Sequence, residues 1–582
     1  MPQTRTFLLL ALAFVGYLLW NQWQHDYQVP AAPAPATAAT KTASPAGAGL
    51  PTLADAPAAP ASSSTAAAPK AATPPVPGKA TAAARGNGGQ QIQVTTDVLR
   101  VDIDTRGGSL VRSALLAYPA TLKSKQSVQL FSDKPEHFFV AQDGLLSRDG
   151  KAPDQRALFQ AAKTSYDLQP GQKTLVVDLA WTGADGLKVI KRYTFTRGSY
   201  VIDLQQQVVN GSKQAWTVWP YRQLQRVVPP EPTYHNFLAK WSDQSRYSFF
   251  GAAWYSPESK FKTLHFDDFS KDPLKKTVTG GWMAMEQHYF MAAWIPDAKK
   301  PQQFSTHVVD GSRPRYLIRE LGQPIEVAPG GHAASQSRLY AGPKLRNALG
   351  TIAPGLDLSV DYGMFTVVAA PMHTMLTWFH ALTGNWGVAI ILVVLLINIV
   401  LYKLNAAQYR SGAKMRKLKP RMDALKERYG DDKQKMQQAM MELYKKEKVN
   451  PVAGCLPLLV QIPVFFALYT VLRESVELRQ APFIGWIHDL SAPDPYFILP
   501  LIYAGVMYLT QRMMPMTAGM DPTQAKIMKW MPVIYPVFFA FFPSGLVLYY
   551  TVNGLARLGQ QWWVLRQFEA EDKRRTGKPR TA

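Results

Sequence analysis

The chain has 582 residues, with 64 Lys and Arg against 41 Asp and Glu, for a formal charge of +23. That length exceeds a single domain, and a near-neutral mean hydropathy excludes a protein made only of membrane spans. The basic residues gather beside apolar runs, which favours membrane topology over specific nucleic-acid recognition, and the single cysteine, Cys455, excludes an intramolecular disulfide.

Arg5 precedes an apolar run from Phe7 to Trp20. Bulky and polar residues follow it where a signal peptidase needs small ones, so residues 1–29 are expected to be an uncleaved signal anchor. Residues 30–91, rich in Ala and Pro, cannot bury enough apolar surface to fold and read as a flexible linker. From 92 to 360 the pattern is alternation, as in Leu99-Arg100-Val101-Asp102-Ile103-Asp104. Leu187, Val189, Lys191, Tyr193 and Phe195 share one strand face before Thr196-Arg197-Gly198-Ser199 turns the chain. This predicts a large antiparallel β-sandwich. An enzymatic reading would rest on His265, Asp267 and Asp268, which are close in sequence but better read as surface loop residues.

In residues 361–385, Met372, Met375, Leu376, Phe379 and Leu382 follow helical spacing, with His373, Thr374, Thr377 and His380 on other faces. Two readings fit: an interfacial amphipathic helix, or a helix packed on the β domain. Spans are then expected at 386–404, 451–472, 496–514, 527–543 and 544–565, making six with the anchor. The fold class expected is therefore a multi-domain membrane protein, an α-helical transmembrane bundle of six spans plus an external β-sandwich.

The basic segments, 405–450 and the tail 566–582, are expected in the cytoplasm, as is the short loop 515–526. Both termini are then cytoplasmic. The acidic loop 473–495 and the β domain lie outside. Residues 405–450 read as a helical hairpin, with Met415 and Met422 on one helix, Met436 and Met440 on the other, and Gly430-Asp431-Asp432 as the turn. Pro420 is expected to start or kink the first helix. The hairpin is either a contact for a ribosome or nascent apolar segment, since Met adapts to varied partners, or a solvated coiled-coil pair.

On the last span Tyr549, Tyr550, Asn553, Arg557, Gln560 and Gln561 recur every three or four residues and form a polar stripe. Asn398, Gln461 and Arg557 fall at similar depth, roughly 15 to 18 Å from their helix ends at about 1.5 Å per residue. Polar groups at that depth usually face a bundle interior or water. Arg557 also has the reach to snorkel to the headgroups, and Gln461 could equally make a helix-to-helix hydrogen bond.

Several long blocks resemble the YidC membrane insertases. They are Gly384-Asn385-Trp386-Gly387, Gly430-Asp431-Asp432-Lys433-Gln434, Glu447-Lys448-Val449-Asn450-Pro451, Gly454-Cys455-Leu456-Pro457, Ser475-Val476-Glu477-Leu478-Arg479-Gln480-Ala481-Pro482-Phe483, Trp486-Ile487-His488-Asp489-Leu490-Ser491 and Phe542-Pro543-Ser544-Gly545. Thr105-Arg106-Gly107-Gly108 in the β domain is similar to that family as well. The resemblance implies a bacterial inner-membrane insertase and chaperone with a periplasmic β-supersandwich like mutarotase folds. It would act on nascent membrane proteins, alone or beside the Sec translocon and its accessory subunits, in contact with ribosome and membrane lipids. It implies a hydrophilic groove, which the depth match and the polar stripe would line with Asn398, Gln461, Tyr549, Tyr550, Asn553 and Arg557; no cofactor and no catalysis are expected. The family's basic groove residue matches Asn398 here, so either the groove has lost its fixed charge or another residue supplies it, and Arg557, on a helix that shares the depth and presents a polar face, is the candidate. No GxxxxGK[ST] loop is present, so a nucleotide is not expected. A transporter is the competing reading, disfavoured because the halves show no duplication.

Overall fold

The computed structural model describes residues 89–122, 124–234, 246, 248–430, 432–447, 456–513 and 522–576. The expected anchor, nearly all of the linker and Cys455 lie outside the described residues.

Alternation builds the β domain. In the strand Leu187–Thr196, Leu187, Val189, Lys191, Tyr193 and Phe195 are buried while Lys188 and Arg192 are exposed. Gly198, at φ +71°, turns the chain into the antiparallel partner Val201–Asn210. Among the described residues there is one 11-stranded sheet, nine strands in a row with Ser127–Phe131 paired to Ser109–Pro119 and Ile325–Val327 paired to Trp216–Arg226 off that row, and one 9-stranded sheet. The larger runs from Lys275–Thr279 through Pro301–Val309, Arg315–Leu321, Trp216–Arg226, Phe139–Ser147, Ser109–Pro119, Leu99–Asp104 and Gln91–Thr95 to Ser165–Asp167. The smaller runs from Lys260–Leu264 through Gly251–Ser256, Trp282–Glu286, Phe290–Pro296, His332–Pro343, Val201–Asn210, Leu187–Thr196 and Thr174–Thr182 to Gln160–Ala161. The sheets enclose an apolar core that includes Ile103, Leu110, Val189, Phe195, Leu204, Trp294 and Leu339.

Within that core sits a buried polar network. Lys191 Nζ lies 2.7 Å from Asp143 Oδ2 and donates to the carbonyl of Gly107 at 2.6 Å. Tyr193 donates to Asp143 Oδ1 at 2.8 Å and Gln206 donates to Asp143 Oδ2 at 2.6 Å. Burial pulls the Lys191 ammonium below its ordinary pKa, against the pull of Asp143. Gly107 has φ +77°, and a Cβ there would stand 2.4 Å from the Gln155 carbonyl oxygen, so the Gly-Gly turn offers carbonyls that a side chain would displace. His265, Asp267 and Asp268 form a surface turn in which the Asp268 carboxylate accepts from the His265 backbone at 2.9 Å.

The opposite face of the 9-stranded sheet carries Tyr255, Trp282, Met291 and Tyr340, and these continue through Leu349, Leu356 and Val360 into the core of the helices. The helices are α1 (Asp268–Lys271), α2 (Arg346–Ile352), α3 (Thr366–Thr383), α4 (Trp386–Val400), α5 (Tyr402–Tyr429), α6 (Lys433–Lys446), α7 (Leu456–Glu474), α8 (Ile498–Met513), α9 (Pro522–Phe539) and α10 (Ser544–Thr576). Among the described residues no single helix is long and apolar enough to cross a membrane, while α4 with α5 as far as Leu418, bent by 64°, meets length and composition as a pair. The count of six spans is therefore not established by these helices.

Two local expectations are corrected, and the last helix is longer than the span expected within it. His373 is buried beside Met372 and Leu376, because its Nε2 lies 3.6 Å from Glu477 Oε1, whereas Leu382 is exposed. The helix containing Pro420 starts at Tyr402, so that proline lies inside it and does not begin it. The last helix continues past 565 to Thr576, since its Gln, Leu, Arg, Glu and Ala residues are good helix formers with no breaker.

A polar cluster between α4, α7 and α10

One end of the helical region is fixed by the blocks that resemble the insertase family. Gly384 caps α3 in the left-handed region, φ +68°, and Asn385 caps α4 by accepting from the Val388 backbone at 3.1 Å. The Asn385 amide also donates to the Phe483 carbonyl at 2.9 Å, and Trp386 stacks on His380 with ring centroids 4.0 Å apart. Gly387 leaves room for Phe483, whose ring would be 2.0 Å from a Cβ. At the start of α10, Ser544 donates from its backbone to Ala492 and from its hydroxyl to Asp489, at 2.7 and 2.8 Å, and Gly545 donates to Leu490 at 2.9 Å. Asp494 accepts from Trp486 Nε1 and from the Leu499 backbone. The segment between α7 and α8 thus ties together α4, α8 and α10. Arg479 extends it to the β domain by donating to the carbonyls of Pro119 and Ala120, both at 2.9 Å.

Deeper in the helices the predicted polar residues meet. Asn398 on α4 donates to Asn553 on α10 at 2.8 Å and to the Val394 carbonyl at 2.9 Å. Gln461 on α7 donates to the Tyr549 hydroxyl at 2.9 Å and accepts from the Arg557 guanidinium at 3.3 Å. Asn398, Tyr549 and Asn553 are buried, and Gln461 and Arg557 are half-buried. The Nε of Arg557 is buried with no hydrogen-bond partner, and among the described residues no carboxylate pairs with this guanidinium. The opposite side of α10 is apolar and exposed, with Leu555, Trp562 and Trp563 each about half accessible. Tyr550 turns away from the polar group into an aromatic cluster, 4.7 Å from Phe539 and 5.6 Å from Phe465 between centroids.

Two contributors, Asn405 and Tyr409, were not anticipated. Gln560 donates to the Asn398 carbonyl and accepts from Asn405, each at 3.1 Å, and the Tyr409 hydroxyl donates to the Arg557 carbonyl at 3.4 Å. The signal for Asn405 was its position two helical turns after Asn398.

In the hairpin, Asp432 caps α6 by accepting from the backbones of Gln434 and Lys435. Leu418 and Met422 form a small core packed by Met415, Met440, Leu443 and Tyr444. Met415, Met422 and Met440 thus face the partner helix, whereas Met436 is half-buried outside that core.

Comparison with known proteins places this arrangement in a class: a periplasmic domain joined to an inner-membrane helical region. Residues 91–375 match the YidC periplasmic domain and residues 378–572 match the 60Kd inner membrane protein family. Among its relatives, the membrane protein insertase YidC of Thioalkalivibrio sulfidiphilus is 43% identical over 99% of this chain and 100% of that protein. That of Xanthomonas campestris pv. campestris (strain B100) is 44% identical over 97% and 98%. The chain belongs to the YidC family of membrane protein insertases, a family of insertases and not of catalysts. It is also similar to an active YidC insertase crystal structure with the first transmembrane domain resolved, at 19% identity and TM-score 0.36, covering 81% of this chain and 92% of that one. A galactose mutarotase related enzyme from Lactobacillus acidophilus, at 11% identity and TM-score 0.30 over 43% of this chain, is a fainter likeness.

Proposed function

We propose that the cluster of Asn398, Gln461, Tyr549, Asn553 and Arg557 is the wall of a hydrophilic groove through which short polar segments of nascent membrane proteins pass while their apolar helices enter lipid. The observation that carries this reading is Arg557: a cation beside Gln461, without a carboxylate partner among the described residues, on a helix whose opposite face is apolar. An unneutralised cation at membrane depth is costly unless water or an anionic group reaches it. With Asn398 neutral, Arg557 supplies the fixed positive charge of the groove. Polar substrate segments gain hydrogen bonds there that hydrocarbon cannot offer, which lowers the cost of their transit.

In this reading the chain sits in the bacterial inner membrane with six spans and both termini cytoplasmic, as the basic segments favour. It works alone or with the Sec translocon and its accessory subunits, without nucleotide. The basic hairpin meets the ribosome and lipid headgroups through Lys and Arg rather than through Met415, Met422 and Met440, which the hairpin's own core occupies. Reconstitution of the purified chain in vesicles tests the function: a small single-span protein is inserted at a stimulated rate without ATP, and absence of stimulation sinks the reading.

A further inference from the structure

Helix α4 ends at Val400 and α5 begins at Tyr402 at an angle of 64°, yet the sequence between them contains no Pro or Gly. At the break the Leu401 backbone turns to the carbonyls of Ile397 and Ile399, and the Asn398 carbonyl accepts from Gln560 instead. The other end of the same Gln560 amide accepts from Asn405, in the first turn of α5. One side chain of α10 therefore bridges both sides of the bend, while its helix also carries Arg557 and Asn553, about one and two turns away respectively.

We infer that Gln560 is a positioning residue for insertion: its amide stitches the α4–α5 bend and so fixes how the cytoplasmic hairpin leaves the groove and where Asn398 stands opposite Asn553. Asn398 and Asn405 are buried on the inner side of the bend and Gln560 is half-buried, so both hydrogen bonds are partly shielded and matter more than they would in water. Without the bridge, a main-chain acceptor and the Asn405 amide lose their partners together. Asn405 Oδ1 is already buried without a donor, which leaves that side chain dependent on Gln560 for its orientation.

The effect on insertion rests on the groove reading, whereas the bend itself can be read separately. Spin labels at the exposed positions Lys414 on α5 and Leu555 on α10 report the angle in the full chain in vesicles. Gln560→Met keeps the side chain's length and removes both hydrogen bonds. The expected result is a broadened distance distribution and a maximal insertion rate about fivefold lower at unchanged half-saturating substrate, with Gln560→Met/Asn405→Leu no worse than the single change. Asn405→Leu alone, which removes only the α5 end of the bridge, broadens the distribution as well and serves if Gln560→Met does not fold. Unchanged distances, or broadened distances with full insertion, overturn the assignment. Full insertion by Arg557→Ala instead overturns the groove reading and leaves the distance result standing.

Discussion

The guanidinium of Arg557 donates to the side-chain oxygen of Gln461 across 3.3 Å, joining α10 to α7 at the depth where Gln461 also donates to Tyr549. Gln461 is the hinge of this triad because both of its polar ends are engaged. Gln461→Leu strands the Arg557 cation and the Tyr549 hydroxyl at once, and the expected outcome is an insertion rate roughly tenfold lower. Tyr549→Phe removes one hydroxyl and leaves the Arg557 contact, so its loss is about twofold. Rates measured with one single-span substrate in vesicles compare the two, and equal effects would contradict the hinge role.

The hairpin methionines separate by their packing. Met422→Ala opens a cavity against Leu418 and its neighbours, at a cost of about 2–5 kcal/mol for a well-packed site, and faster amide exchange is expected throughout α5 and α6. Met436→Ala, outside that core, is expected to leave exchange unchanged. Hydrogen exchange on the full chain distinguishes the two.

In the β domain, Lys191→Met leaves Asp143 buried with only Tyr193 and Gln206 to hold its charge. The expected destabilisation is about 3–5 kcal/mol, and Lys191→Met/Asp143→Leu recovers much of it because the uncompensated charge is gone. Denaturant unfolding followed by tryptophan fluorescence gives both values.

Burial raises the pKa of Glu286 above its ordinary 4.5; Lys344, 3.4 Å away, opposes this, while one carboxylate oxygen has no donor. Between 4.5 and the raised folded value the folded chain holds a proton that the unfolded chain has released. The stability contributed by the protonated form is present below that window and lost as pH rises through the folded pKa. Glu286→Gln keeps the neutral form at all pH. Its melting temperature relative to the parent chain is therefore expected to rise between pH 5 and pH 8, and a constant difference would contradict the shift.

Much of the fold was legible because its causes are local. Alternation located the strand from Leu187 to Phe195, even placing Lys191 on the inner face, and the three- and four-residue spacing of Asn553, Arg557 and Gln560 defined the polar side of α10. The sites of close approach follow from residues whose partners are remote in sequence. The α4–α5 bend has no breaker in its own sequence and depends on Gln560, 162 residues after Asn398. His373 lies on the buried face of α3 because of Glu477, which periodicity alone does not see. Tyr550 shares its spacing with the polar stripe, but its ring finds Phe539 and Phe465.

In the proposed groove, Arg557 provides the charge that Asn398 does not. The direct measurement is the insertion rate of a substrate with a short acidic translocated segment, in vesicles holding the parent chain, Arg557→Ala, Asn398→Arg or Arg557→Ala/Asn398→Arg. A loss of about tenfold or more is expected for Arg557→Ala, with substantial recovery in the double variant. Asn398→Arg alone places two cations close together and is expected to be impaired. Full activity of Arg557→Ala, or a double variant no better than Arg557→Ala, would contradict that role of Arg557.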